Sequence, residues 1–169
     1  MLNLYRNYVR ETVDSAGNIT DYDLIVPGTF NFAYDGVDAI AKAEPGRRAM
    51  HWCNEAGEHR TLTFSDFKRE SDRCASFFQS VGIRKGDRVL LILKRHVQFW
   101  YAILALHKIG AVAIPATNQL LVKDLVYRIQ AAELSAAICT PDGQIAACLE
   151  DAEATSGRAL TKIIVRQSV

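Results

Sequence analysis

The chain has 169 residues, nearly half of them apolar (49%) and about a quarter charged (23%), with a formal net charge of +1. Such a chain has enough apolar material for a sizeable core, roughly 70% of its unfolded surface being buried on folding alone, and its composition is that of a soluble globular protein and argues against disorder. A charge so close to neutral also argues against a broad phosphate-binding surface, so no nucleic-acid partner is expected.

The first 28 residues are polar and turn-rich around Asp14-Ser-Ala-Gly-Asn18. They read as an exposed helical lead ending at Pro27-Gly28, and residues 29–169 as the main α/β part. Apolar residues at Phe30, Ala33, Val37 and Ile40 then recur at helical spacing until Pro45-Gly46 stops the pattern. Two short extended runs, Arg48 to Cys53 and His59 to Leu62, flank Asn54-Glu-Ala-Gly-Glu58 and predict an antiparallel hairpin. Thr63 with Asp66 three positions on predicts a capped helix start. That helix carries its stripe on Phe67, Cys74, Phe78 and Val81, widened by Phe77, and ends at Gly82.

From Val89 onward the pattern alternates: strand 89–93, helix 97–108, strand 111–114, helix 122–132, strand 136–139, helix 144–154, strand 162–165. The run Val89-Leu-Leu-Ile-Leu93 is continuously apolar, as a strand covered on both faces must be. The helix over 97–108 is apolar almost all round and reads as buried. This order predicts an α/β fold with a largely parallel sheet flanked by helices, a small antiparallel hairpin, and ligands outside the carboxyl ends of the strands.

The chemistry-bearing motifs are sparse. Neither Gly-x-Gly-x-x-Gly nor Gly-x-x-x-x-Gly-Lys-Ser/Thr is present, and there is no Gly-x-Ser-x-Gly, no His-Glu-x-x-His and no Cys-x-x-Cys. Cys53, Cys74, Cys139 and Cys148 read as reduced thiols, which points to the cytoplasm. The amino terminus lacks the pattern of a secretory signal, and no apolar run approaches the roughly 20 residues of a membrane span. His51 and His59 can face each other across the hairpin, more simply as an exposed or hydrogen-bonded pair than as a metal site. No catalytic or metal-ligating residue is assigned.

Several segments do occur together and in order: Phe30-Asn-Phe-Ala33, Leu62-Thr-Phe-Ser-Asp-Phe67, Gly86-Asp-Arg-Val89 and Ala105-Leu-His-Lys-Ile-Gly-Ala-Val-Ala-Ile-Pro115. They resemble the amino-terminal part of the AMP-forming acyl-CoA synthetases, the adenylate-forming superfamily. Thr117-Asn-Gln-Leu120 and Asp124-Leu-Val-Tyr-Arg-Ile-Gln130 look most like its medium-chain branch. The resemblance spans residues 22–169. One departure is Lys94-Arg95-His96-Val-Gln-Phe-Trp100, where the family reads Pro-Arg-x-Pro-Glu-Trp.

The resemblance implies an ATP-dependent carboxylic acid:CoA ligase that forms an acyl-adenylate and then an acyl-CoA. It implies ATP, coenzyme A and Mg2+ as cofactors of the complete enzyme, and a carboxylic acid substrate, a medium-chain fatty acid being favoured. The family's Ser/Thr/Gly-rich loop with its Lys, its ribose-binding acid and its later catalytic Lys are not matched before Val169. The implied reading is therefore an amino-terminal part, inactive alone, partnered by the remainder of its own chain. It also places Gln119 beside coenzyme A, with Asn118 and Thr117 shaping the loop and Arg128 as an anion contact. Two alternatives stay open: a stand-alone, non-catalytic α/β binding module, and an aryl-acid:CoA ligase of the same superfamily.

Overall fold

The computed structural model describes residues 3–141 and 143–166. The expected parts 1–28 and 29–169 thus include six residues outside the description. Its contacts divide the chain into two compact units meeting at Lys68/Arg69, within a helix, whereas the sequence suggests a division after Gly28.

In the first unit the expected helical lead is instead a single 3-10 turn, Leu4–Asn7, followed by a hairpin of β1 (Val9–Val13) and β2 (Ile19–Leu24). The turn residues explain the difference. The Asp14 carboxylate accepts from the backbone N–H of Ala16 and Asn18, each at 2.9 Å, and Gly17 takes φ +83°, so the polar cluster closes a hairpin rather than interrupting a helix. Asp14 is held below the usual carboxylate range, first by the Asn18 side chain and then by its backbone N–H.

The next helical segment begins two residues later than its apolar spacing suggests. Asn31 caps it, its Oδ1 accepting from Ala33 N at 3.0 Å, and Asp35 reaches back to Asn31 N at 2.7 Å. Its first part is a π-helical turn, Phe32–Asp38, leading into α1 (Ala39–Ala43). Ala33, Val37 and Ala41 are the buried positions while Phe30 is exposed. A spacing of four repeated twice is wider than an α-helical stripe, which accords with a widened turn. The predicted hairpin then forms from β3 (Arg48–Cys53) and β4 (His59–Thr63), paired antiparallel with His51 opposite Thr61 and Cys53 opposite His59.

Helix α2 (Phe64–Ser80) starts where Thr63 and Asp66 predict it. Asp66 N donates to Thr63 Oγ1 at 3.2 Å and Thr63 N to Asp66 Oδ2 at 2.9 Å, a reciprocal capping box. Its end is closed by Gly82 at φ +92°, with Ile83 N returning to Phe78 O at 2.9 Å. Phe67 and Phe78 are buried, but Phe77 and Val81 are exposed at 49% and 36%. The stripe is narrower than predicted, because only one face of the helix meets a core.

The second unit has a four-stranded, wholly parallel sheet in the order β6-β5-β7-β8, formed by β5 (Arg88–Ile92), β6 (Val112–Pro115), β7 (Ala136–Cys139) and β8 (Thr161–Ile164). Helices α3 (Gln98–Ile109), α4 (Val122–Ala131) and α5 (Ile145–Ser156) connect the strands. Period-two alternation assigns the layers. Val89, Leu91, Leu93, Ala136 and Ile138 pack with Ala75, Phe78, Ala102, Ala105 and Leu106 of α2 and α3. Leu90, Ile92, Ala137 and Cys139 pack with Leu125 and Ile129 of α4 and with Ile145, Leu149 and Ala152 of α5. Helix α3 is buried as expected along most of its length, although Trp100 is 47% exposed. The missing prolines before α3 are replaced by a tight turn in which His96 N donates to Leu93 O at 3.0 Å and Lys94 adopts φ +48°.

Lys108 of α3 carries the one charge that this layer buries among the described residues. Its side chain is 1% exposed, and Nζ donates to Asp72 Oδ1 of α2 at 2.6 Å. Asp72 remains half-exposed, which moderates the effect of losing it. Asp72→Asn should lower stability in urea unfolding by about 2 kcal/mol, whereas Lys108→Met, which removes the buried charge, should cost less than half as much.

Burial also depresses the protonation of His107 on α3. The unfolded chain binds that proton more readily, so stability should fall as pH drops below the ordinary histidine pKa of about 6.5. His107→Gln should flatten that part of a pH–stability curve measured by chemical unfolding.

Candidate functional site

Strand β6 lies at the edge of the sheet, so Pro115 is tolerated as its last residue. Ala116 N continues the ladder, donating to Leu91 O at 2.9 Å. The chain then leaves the sheet at its carboxyl end. Ile114, Ala116, Leu120 and Val122 pack against the layer built on Leu90 and Ile92. The three residues between these anchors, Thr117, Asn118 and Gln119, are exposed.

The loop is therefore pinned at both ends and presents its middle. Gln119 N donates to Thr117 Oγ1 at 3.3 Å, a turn within the loop. Asp124, three residues into the α4 cap, accepts from Leu121 N at 3.1 Å and so fixes where the loop becomes helix. The Gln119 side-chain amide makes no hydrogen bond among the described residues, which leaves its donors and its acceptor available to a ligand. Arg128 is not drawn into this arrangement. It lies six residues along α4 and its Nη1 donates to Asp124 O of its own helix at 3.3 Å. The structure thus brings Thr117 and Gln119 together, presents Asn118 beside them, and leaves Arg128 apart.

The strand order makes this edge the place to look. The connection from β5 runs to β6 on one side, and that from β7 to β8 on the other, so a topological switch point lies between the carboxyl ends of β5 and β7. The sequence reading omits two residues there. Among the described residues, Thr140, directly after β7 and fully buried, has no partner for its hydroxyl, and His96, in the turn after β5, has none for its buried Nδ1. Their position after the two central strands is the signal that could have identified them.

No three His, Cys, Asp or Glu side chains converge among the described residues. All four cysteines are free, and burial pushes the Cys74 thiol up to about 11, which makes it a poor nucleophile. The first unit holds an open cavity of about 340 Å³, lined among others by Leu4, Tyr5, Tyr8, Phe30 and Phe32. Its walls are apolar and offer nothing to a charged ligand.

A match to the AMP-binding enzyme family spans residues 37–168. The chain belongs to that family. It is 36% identical over 119 residues to "Acyl-coenzyme A synthetase ACSM5, mitochondrial" of Rattus norvegicus, covering 67% of this chain and 21% of that protein. It is 34% identical over 155 residues to "Acyl-coenzyme A synthetase ACSM3, mitochondrial" of Homo sapiens, covering 88% of this chain and 26% of that one. Among solved structures, a benzoate CoA ligase from Burkholderia xenovorans LB400 superposes with a TM-score of 0.65 at 22% identity, over 82% of this chain and 26% of that one. A Mycobacterium tuberculosis fatty acyl CoA synthetase gives 0.67 at 22%, over 80% and 26%. These two likenesses establish the fold. The chain spans about a quarter of the length of the relatives it matches.

The placement of the loop depends on the cap of α4. Asp124→Ala should lower stability by about 1 kcal/mol, and should raise the amide exchange rate of Leu121 while leaving that of the β5 amides unchanged.

Proposed function

We propose that these residues form the amino-terminal part of an ATP-dependent, AMP-forming carboxylic acid:CoA ligase, in which the loop after β6 contacts coenzyme A. The observation that carries the proposal is the exposed, unpaired amide of Gln119, held on a loop anchored at both ends beside the switch point of the sheet. Coenzyme A combines phosphates with peptide-like amides, and a primary amide that both donates and accepts suits such a surface. Thr117 sets the turn, Asn118 borders the contact, and Arg128 supplies positive charge farther along α4. Residues 1–28 are the lead and 29–169 the incomplete AMP-binding part.

ATP and Mg2+ do not fit the residues described. There is no glycine cradle after a strand and, among the described residues, no converging group of three or more acidic, imidazole or thiol ligands, so no step of adenylation is derived from this part of the protein. Adenylation and thioester formation require the remainder of a longer chain. The resemblance of Thr117-Asn-Gln-Leu120 to the medium-chain branch, together with the acyl-coenzyme A synthetase relatives, supports a medium-chain fatty acid as substrate. The four free thiols support a reducing compartment such as the cytoplasm. No helix is long and apolar enough to cross a membrane among the described residues.

Gln119→Ala in the complete enzyme tests the contact. The apparent KM for coenzyme A should rise about five- to tenfold, the effect of losing one hydrogen bond of about 1 kcal/mol. Acid-dependent exchange of pyrophosphate into ATP, which does not use coenzyme A, should be unchanged. An unaltered KM would remove Gln119 from the site, whereas absence of exchange in the unsubstituted enzyme would overturn the ligase reading itself.

A further inference from the structure

The β3–β4 hairpin presents one more exposed face. Met50, Trp52 and Leu62 are half-buried, whereas His51, Cys53, His59 and Thr61 are exposed. The antiparallel register, with His51 opposite Thr61 and Cys53 opposite His59, puts these four on one face. That face carries two imidazoles and one thiol, and neither of the histidines nor the thiol is used by the ligand-facing loop after β6.

The geometry points to a site for a borderline-soft divalent ion of the zinc class, bound by His51, His59 and Cys53. The two imidazole centroids are 5.8 Å apart, with their planes tilted by 33°. Two imidazoles sharing one tetrahedral ion through bonds of about 2.1 Å have centroids roughly 5 Å apart, so a small rotation of either ring closes the pair.

His51 also has the supporting contact that such ligands use. Its Nδ1 lies 3.3 Å from Thr61 Oγ1. When Nδ1 carries the proton and donates it to Thr61, Nε2 keeps its lone pair for a metal. The third ligand is not yet in place, since no three such side chains converge among the described residues. Cys53 is exposed and adjoins His59 across the strands, so rotation about its single side-chain torsion brings sulfur to the pair. Binding converts the thiol to a thiolate and releases one proton to solvent, and water completes the coordination. The mixed nitrogen and sulfur donors select zinc or cobalt over magnesium or calcium.

Titration of the intact, reduced and metal-free chain with Co2+, followed by displacement with Zn2+ in a calorimeter, tests the site. One ion should bind per chain, with the visible absorption of tetrahedral cobalt and a thiolate-to-cobalt charge-transfer band that Cys53→Ser abolishes. His51→Ala and His59→Ala should each weaken Zn2+ binding by roughly tenfold or more, and Thr61→Val by about tenfold. Arg60→Ala, on the opposite face, should leave it unchanged. Cys53 is the one exposed cysteine of the four, so stoichiometric Zn2+ should also slow its alkylation in the unsubstituted chain, a readout that needs no variant to fold. Absence of cobalt absorption, absence of the charge-transfer band, affinity unmoved by the two histidine substitutions, or alkylation indifferent to Zn2+ would each overturn the proposal.

Discussion

Burial of β5 on both faces is the constraint from which the second unit follows. Val89, Leu90, Leu91 and Ile92 have no exposed surface, and Leu93 retains 1%. A strand with apolar side chains on both faces cannot rest on a single layer, so helices must cover it on each side. The alternate residues then sort α2 and α3 to one layer and α4 and α5 to the other. Because β5 is central, its neighbours arrive by crossovers in opposite directions. This leaves the crevice at the carboxyl ends of β5 and β7 and brings the loop after β6 alongside it.

The loop after β6 contains no glycine. A phosphate cradle needs close backbone approach, and hence residues without a Cβ. Here the backbone is instead held by apolar anchors, Ala116 and Leu120, and by the Asp124 cap, while side chains face outward. What the loop exposes is therefore a hydroxyl and two amides, those of Thr117, Asn118 and Gln119. The chain is a member of the AMP-binding enzymes and spans about a quarter of its relatives' length.

Legibility in the sequence followed the strength of the local physics. The alternation from β5 to β8 was readable because continuous apolar runs and capped helices carry their signals within a few residues. The Thr63–Asp66 cap and the β3–β4 hairpin were readable for the same reason. The lead before Pro27 was misread as helical, since β2 is exposed along its whole length and so has no hydrophobic alternation to reveal it. The exposure of Phe77 depends on which face of α2 meets a core, which helical spacing alone does not determine. The proposed role of Gln119 rests on family resemblance, because an exposed amide carries no pattern of its own. Thr140 and His96 required the strand order before their position acquired meaning.

Hydrogen–deuterium exchange of the complete enzyme, with and without saturating coenzyme A, tests the central claim most directly. Slower exchange confined to the segment from Ala116 to Val122, with the β5 amides unaffected, is the result the account predicts. Unchanged exchange across that segment, with protection appearing only elsewhere in the enzyme, would contradict the assignment of this loop to coenzyme A.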